Sequence, residues 1–161
     1  MTINPGPEPE SETEARSADL LRLEHQVCFA LNSASRAFGA LYRDLLQDLQ
    51  LTYPQYLTMM ALWQHGDLPV KRIGELLRLD SGTLSPLLKR LEAAGLVRRE
   101  RSTEDERVVV VSLTASGEAL RGPAQRVPRE LARRSGLETA ELRQLHELLN
   151  RLTDRLDAAL T

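Results

Sequence analysis

Two short helical patterns followed by two β-rich runs, all between Val70 and Leu113, constrain the fold of this chain more than any other feature. The apolar residues of the helical patterns recur at spacings of three and four; they are Ile73, Leu76, Leu77, Leu84, Leu87, Leu88 and Leu91. Each helix therefore has one side to bury. Between the helices, Asp80 or Ser81 can accept hydrogen bonds from the free N–H groups that open the second helix. This order of elements predicts a helix-turn-helix followed by a β-hairpin wing.

The second helix has an outer face of small and hydrogen-bonding side chains, which can enter the major groove of DNA. The residues on this face are Ser81, Gly82, Thr83, Ser85, Lys89 and Arg90. Pro86 lacks a backbone donor just past the first turn, so we expect it to bend or loosen the helix there. Gly95 fits the position that ends the helix.

The wing is predicted from two Val- and Leu-rich runs, Leu96 to Arg101 and Val108 to Leu113, joined by polar residues 102–107. Arg107 at the end of the connection can reach a minor groove or a phosphate, with Asp105 or Glu104 holding its guanidinium in one pose. Taken alone, a surface hairpin with a local ion pair explains these residues equally well. Attached to the preceding helix pair, they favour DNA contact.

The predicted fold class is mainly α with a small β-hairpin wing, because the chain is rich in aliphatic residues and poor in aromatic ones. Its 161 residues are 42% hydrophobic but only 4% aromatic, which favours long leucine seams between helices. Residues 1–17 contain three prolines and four glutamates and predict a disordered acidic tail. Residues 18–161 form the predicted domain, with a DNA-binding region at 67–113 and a helical dimerisation region at 18–66 and 114–161.

The charge distribution suits a selective DNA binder better than a general polyanion binder. The formal net charge is −2, but the first twenty residues hold five acidic side chains and one basic one, so the rest of the chain carries +2. A modestly positive body is compatible with a few phosphate contacts.

Further apolar patterns and helix-capping residues predict the helices outside residues 70–113. A heptad-like pattern from Leu20 predicts a first long helix that ends at residues 50–52. Thr52 and Gln55 predict a capping box for the next helix, which ends near Gly66. After the wing, Thr114 opens a helical stretch that Gly122-Pro123 and Pro128 should kink or interrupt.

The C-terminal pattern predicts a dimer. The residues from Ser135 to Glu138 predict another capping box, and six leucines then recur every three or four residues: Leu142, Leu145, Leu149, Leu152, Leu156 and Leu160. Such a seam on a small domain needs a partner, and we expect the first and last helices of two chains to interlock in a two-fold dimer. An intramolecular pair of helices is the alternative.

The single cysteine, Cys28, excludes an intrachain disulfide and a cysteine-based zinc site. The three histidines are not grouped with carboxylates at metal-ligand spacing, so we predict no metal and no cofactor. No apolar run reaches membrane-spanning length and the N-terminus is acidic, so no signal peptide or anchor is expected. A cytoplasmic protein without membrane contact is the prediction.

The order of elements resembles the multiple-antibiotic-resistance-regulator (MarR-type) family of bacterial winged-helix repressors, and its organic-hydroperoxide-resistance branch in particular. The resemblance rests on residues 26–31 (QVCFAL), 51–57 (LTYPQYL), 79–84 (LDSGTL) and 105–107 (DER), and it covers the chain from about Leu20, weakening after residue 120. It implies that Cys28 is a peroxide sensor whose thiolate accepts hydrogen bonds from Tyr42 and Tyr53 of the other subunit. Fourteen residues of straight helix separate Cys28 from Tyr42, roughly 21 Å of rise, so a contact between them has to cross the dimer.

Two departures from that branch bear on the chemistry. Many members carry a further tyrosine one turn after the cysteine, where this chain has Asn32, and His25 lies one turn before the cysteine. No second cysteine follows the wing, so a sulfenic acid would have to react with a small external thiol, a backbone nitrogen or further oxidant.

The leading hypothesis is a dimeric repressor that binds a pseudo-palindromic double-stranded operator. An organic hydroperoxide and a small thiol would modify Cys28, and the repressor would then release the DNA. A repressor of the same fold released by a bound phenolic or lipophilic ligand is the nearest competing hypothesis. A thiol peroxidase is disfavoured, because one cysteine without a resolving partner makes a poor catalyst. The sequence is also compatible with a winged-helix protein-interaction module that never touches DNA, and with a cysteine that is only a small buried hydrophobe.

Overall fold

The structure is a computed structural model that describes residues 21–160. The acidic tail predicted for residues 1–17 lies outside the described residues. The described residues divide into two units, 21–40 and 41–160. Among residues 21–160, no helix combines the length and the apolar character that crossing a membrane requires.

The first unit contains a 3₁₀ turn at Leu23–His25 and most of helix α1 (Val27–Leu45). The sequence predicts one helix from Leu20 to residues 50–52, and this is wrong at both ends. Gln26 is extended, with φ −81° and ψ 115°, so α1 begins only at Val27. At the other end Gln50 has a left-handed φ of 54°, which closes a separate 3₁₀ turn at Gln47–Leu49.

The second unit continues with α2 (Tyr53–His65), strand β1 (Leu68–Pro69), α3 (Val70–Leu77) and α4 (Ser81–Ala93). The Thr52 capping box is confirmed, because the backbone N–H of Thr52 donates to Gln55 Oε1 at 2.8 Å. Helix α4 is continuous through Pro86, where the sequence predicts a bend or a loosening.

Three antiparallel strands form the wing sheet, in the order β1, β3, β2. The hairpin strands β2 (Val97–Arg101) and β3 (Val109–Leu113) agree with the predicted runs to within one residue. Strand β1 pairs Leu68 with Val111 and was not predicted, because a two-residue strand leaves no alternating pattern. The mainly α fold with a small wing is confirmed.

After the wing the chain forms α5 (Ala115–Ala119), α6 (Arg121–Ala124), α7 (Arg126–Ser135) and α8 (Thr139–Ala159). The breaks fall near Gly122-Pro123 as predicted, but Pro128 lies in the first turn of α7, where a missing N–H is tolerated. The predicted cap at Ser135 is wrong. Gly136 has φ 69° and ends α7, and Glu138 instead caps α8 together with Glu141.

The core of the second unit lies beneath the helix-turn-helix and the sheet. The fully buried large side chains include Leu46, Met59, Leu62, Ile73, Leu84, Leu88, Leu91, Val97, Val111 and Val127. The inner faces predicted for α3 and α4 are confirmed, because Ile73 and all four leucines of α4 are buried, with Leu76 and Leu77 packed against the core. Burying one side of α4 leaves its other side in solvent.

Gly117 provides a test of how closely α5 packs on the wing. An added Cβ at Gly117 would lie 2.0 Å from the carbonyl oxygen of Leu96, which accepts the Thr114 N–H. We expect Gly117→Ala to lower the free energy of unfolding by about 1–3 kcal/mol in urea titrations at matched protein concentration. Gly122→Ala, where nothing lies within 4 Å of the new methyl group, should be neutral or stabilising by about 0.5–1 kcal/mol. Equal effects of both substitutions would contradict this packing.

Candidate DNA-binding and redox sites

Asp80 caps the helix that carries the predicted major-groove face. Its Oδ1 accepts the Thr83 N–H at 2.8 Å, and its Oδ2 accepts the Thr83 hydroxyl at 3.0 Å. The hydrogen bond from the Thr83 backbone, with help from its hydroxyl, lowers the pKa of the Asp80 carboxyl. Of the two cap residues that the sequence allowed, the structure therefore selects Asp80, and Ser81 is the first helical residue. Because the Thr83 hydroxyl donates its hydrogen bond to Asp80, its oxygen can still accept a hydrogen bond from a base edge.

The six residues of the predicted face are all exposed on α4: Ser81, Gly82, Thr83, Ser85, Lys89 and Arg90. The small side chains occupy the N-terminal half and the two cations the C-terminal half. This arrangement suits base edges at the start of the helix and phosphates towards its end. Their role in DNA binding stays a prediction.

The wing tip holds Arg107 away from the body of the protein. Its side chain is 93% exposed, its backbone N–H donates to Asp105 Oδ1 at 3.0 Å, and its Nε lies 3.4 Å from the same oxygen. Asp105 rather than Glu104 therefore orients Arg107. The tip is further shaped by Ser102, whose N–H donates to the Val108 carbonyl at 2.8 Å. Helix α4, the proposed recognition helix, and the wing enclose a groove of about 400 Å³, bordered by Lys71, Ser85 and Arg107.

An ion pair that was not predicted from the sequence joins α4 to β2. Glu92, in the last turn of α4, accepts hydrogen bonds from Arg99 in the middle of β2. The chain reverses between them at Gly95, with φ 71°, where the Gly95 and Leu96 N–H groups donate to the Glu92 and Leu91 carbonyls. Opposite charges on either side of a glycine helix stop are a signal that could have pointed to the pair.

Cys28 is the second residue of α1 and is exposed. Its neighbours Val27 and Phe29 are also exposed, at 66% and 44%. Within one chain the cysteine is therefore not a small buried hydrophobe. Asn32 and His25 are exposed as well.

Tyr42 and Tyr53, which lie in the second unit, are brought together by the fold. Their ring centroids are 4.4 Å apart with an interplanar angle of 40°. Two further aromatic residues, which the sequence did not single out as site residues, extend the group: Tyr56 lies 6.2 Å from Tyr42, and Trp63 lies 6.4 Å from Tyr56. The Trp63 indole N–H donates to the Gly117 carbonyl at 3.1 Å, which fixes the far end of the cluster.

Burial raises the pKa of Tyr42 to about 12, and the neighbouring Tyr53 and Tyr56 phenols add to the shift. Burial also raises the pKa of Tyr56. Both phenols therefore stay protonated across the physiological range and can donate hydrogen bonds to an anion. Within residues 21–160, no three His, Cys, Asp or Glu side chains come together in a way that could hold a metal ion.

Comparison with known proteins places this geometry among transcriptional regulators. Residues 40–121 match the family model described as transcriptional regulator SarA/Rot. An organic hydroperoxide resistance transcriptional regulator of Bacillus subtilis is 46% identical over 138 residues, which are 86% of this chain and 94% of that protein. The HTH-type transcriptional regulator TtmR of Methylorubrum extorquens is 48% identical over 136 residues, 84% of this chain and 70% of that protein.

A solved structure with DNA shares the fold. Reduced AbfR of Staphylococcus epidermidis bound to DNA has a TM-score of 0.73 and 32% sequence identity, covering 88% of this chain and 99% of that one. The family model and the curated relatives describe transcriptional regulators and not enzymes, which confirms the prediction that the chain is not an enzyme.

The environment of Tyr42 can be tested by alkaline titration. A folded-state pKa raised above that of the unfolded chain contributes stability that is fully present below pH 10 and is lost as the pH rises from 10 towards 12. We expect tyrosinate absorbance at 295 nm to show a late transition that Tyr42→Phe removes. Tyr42→Phe should also lose less stability than the wild type across that window in urea titrations. Complete ionisation of all three tyrosines near pH 10 in the folded protein would contradict the burial of Tyr42.

Proposed function

We propose that this chain, which belongs to the SarA/Rot family of transcriptional regulators, is a dimeric repressor of the MarR type that organic hydroperoxides release from its operator. That it is a DNA-binding transcriptional regulator follows from the family and from the similar DNA-bound structure. The response to peroxide is the proposal. The observation that carries it is an exposed cysteine, the only one in the chain, in a protein 46% identical to a named organic hydroperoxide resistance regulator.

In this proposal α4 enters the major groove of a pseudo-palindromic operator. Ser81, Gly82, Thr83 and Ser85 approach base edges, and Lys89 and Arg90 approach phosphates. Arg107, oriented by Asp105, contacts the minor groove or its phosphates from the wing tip. The exposure of these residues and the 2.8 Å cap bond that fixes the start of α4 support this assignment.

A second copy of the chain is the proposed partner of α8. No residue of α8 is buried, and Leu145, Leu148, Leu149 and Leu156 are exposed at 38%, 54%, 37% and 55%. Leucines spaced along one helix and left in solvent are typical of a helix that packs against another chain. The helices of residues 18–66 and 114–161 are the proposed dimerisation region, and residues 67–113 the DNA-binding region.

The proposed sensor reaction takes place at the Cys28 thiolate. The sulfur attacks the terminal oxygen of the hydroperoxide, the O–O bond breaks, and the departing alkoxide takes up a proton and leaves as the alcohol. Cysteine is oxidised to the sulfenic acid while the hydroperoxide is reduced. A small thiol then displaces water from the sulfenic acid to give a mixed disulfide.

Tyr42 and Tyr53 of the other subunit are the proposed hydrogen-bond donors to the thiolate before oxidation. Their ring contact and the raised pKa of Tyr42 support a pair of neutral donors held side by side. A sulfur that has become larger and more polar no longer fits between those donors and the opposing helices. The spacing of the two recognition helices then changes, and the operator is released.

A ligand-released repressor remains the second candidate, favoured by an apolar groove. Its volume is about 420 Å³, and it is lined by Tyr56, Met60, Trp63, Gln64, Arg121, Ala124, Gln125 and Pro128. The Arg121 guanidinium at its edge suits the carboxylate or phenolate of a lipophilic molecule. Under this candidate Cys28→Ser would leave induction intact.

A gel-shift titration separates the two candidates. Purified protein is titrated on DNA from upstream of its own gene, with and without a near-stoichiometric organic hydroperoxide and a small thiol. We expect the wild type to release the DNA on oxidation and Cys28→Ser to stay bound to it, because serine cannot form the sulfenic acid. The alcohol corresponding to the hydroperoxide serves as the matched control. Release of Cys28→Ser by the same peroxide would overturn the sensor, and no response in either protein would direct attention to the groove beside Trp63.

The dimer has its own test on α8. Leu149→Arg should convert the protein to a monomer in analytical ultracentrifugation and weaken operator binding at least about 10-fold, because a two-fold operator needs both recognition helices. Glu147→Arg places the same side chain on an exposed position of the same helix and should remain dimeric. Dimeric Leu149→Arg would exclude this seam as the interface.

A further inference from the structure

One carboxylate ties the recognition helix to the wing through both the main chain and the side chain of a single residue. The backbone N–H of Arg99 donates to Glu92 Oε1 at 3.2 Å. The Arg99 Nε donates to Glu92 Oε2 at 2.9 Å, and one terminal nitrogen of the guanidinium donates to the same oxygen. Because the guanidinium and the carboxylate are both planar, these hydrogen bonds fix the relative orientation of the two side chains as well as the distance between them.

The surroundings of this pair make it stiffer than an ordinary surface ion pair. Arg99 lies opposite the fully buried Val111 in the antiparallel register. The Arg99 and Glu92 side chains are only 25% and 36% exposed. The hydrogen bond from Arg99 lowers the pKa of the Glu92 carboxyl, so the charged pair persists through neutral and mildly acidic pH. The helix stop at Gly95 closes the loop between the two partners.

Two other arginines of the wing are held differently. Arg107 is 93% exposed and lies 3.4 Å from Asp105, and Arg98 lies 3.8 Å from Glu100. These contacts are long and open to solvent, so both guanidinium groups retain charge for a phosphate. The charge of Arg99 is instead matched by Glu92, which accepts hydrogen bonds from two of the five N–H donors on its guanidinium.

We infer that Glu92 and Arg99 act as a positioning pair that sets the angle between recognition helix and wing, so that both elements meet the DNA at once. Arg99 then contributes to operator affinity through geometry and not through contact with a phosphate. This inference rests on operator binding by the proposed repressor. It assigns Glu92 and Arg99 a role in operator affinity although neither residue contacts the DNA.

The test measures operator affinity by fluorescence anisotropy across a series of KCl concentrations. Glu92→Gln, Arg99→Gln, Arg99→Lys and the double variant Glu92→Gln/Arg99→Gln are compared with the wild type. Glu100→Gln is the matched control, because it removes the same negative charge from the neighbouring strand position. Arg107→Gln is the control for loss of a phosphate contact, which should reduce the slope of log K against log[salt] by about 0.9.

We expect Glu92→Gln to weaken binding about 10-fold even though it removes negative charge near DNA, while Glu100→Gln leaves affinity unchanged or tighter. Arg99→Gln and Arg99→Lys should weaken binding by a similar factor with an unchanged salt slope, because no phosphate contact is lost. The double variant should be no weaker than either single variant, because the two residues act as one unit. If Glu92→Gln behaves like Glu100→Gln, or if Arg99→Gln reduces the salt slope by about 0.9, the inference is wrong.

One of these variants and one further measurement keep the positioning pair separable from folding and from the proposed function. Arg99→Lys retains the charge and most of the side chain, so it decides the question if Glu92→Gln does not fold. Amide hydrogen exchange in the DNA-free protein should be faster in β2 of Arg99→Lys and Glu92→Gln than in the wild type. Absence of operator binding by the wild type itself would reject the repressor, whereas unchanged exchange in both variants would reject the positioning pair.

Discussion

The burial of one face of α4 is the constraint on which the rest of the structure depends. Leu84, Leu87, Leu88 and Leu91 are all buried, so the rotation of the helix about its own axis is fixed by the core. The same rotation exposes a polar face made of Ser81, Gly82, Thr83, Ser85, Lys89 and Arg90. The packing of the core and the exposure of this polar face are therefore decided by one periodic pattern, and a core substitution in α4 would disturb both. The Asp80 cap fixes where the helix starts, and the Gly95 turn fixes where the wing begins.

Periodic patterns and helix caps explain why much of the fold could be predicted from the sequence. Leucine spacing predicts α3 and α4, the Thr52–Gln55 pair predicts the start of α2, and two Val-rich runs predict β2 and β3. The errors come from backbone choices that leave little trace in composition. Gln50 adopts a left-handed φ without being a glycine, β1 is only two residues long, and Gly136 ends one helix where the sequence suggested that another begins.

The site residues likewise divide into those that the sequence predicts and those that it does not. The exposed face of α4 and the Asp105–Arg107 contact follow from local sequence, because their partners are near in the chain. The resemblance led to Tyr42 and Tyr53, and the fold brings their rings to 4.4 Å. The approach of Tyr56 to Tyr42 and the Glu92–Arg99 pair depend on packing between elements, which periodicity does not encode. Tyr56 and Trp63, by contrast, lie on one face of the same helix, α2. The fold thus supplies two elements to the proposed mechanism, helix α4 with its wing and a cluster of protonated phenols. The proposed redox signal at Cys28 would act on these two elements.

The most direct test of redox control compares the oxidation state of bound and released protein. A protein–operator complex is treated with substoichiometric organic hydroperoxide and a small thiol, free and DNA-bound fractions are separated, and the intact mass of each is measured. We expect the mixed disulfide on Cys28 to be concentrated in the released fraction, while the bound fraction retains the free thiol. Equal modification of both fractions would contradict the claim that oxidation of this cysteine controls DNA binding.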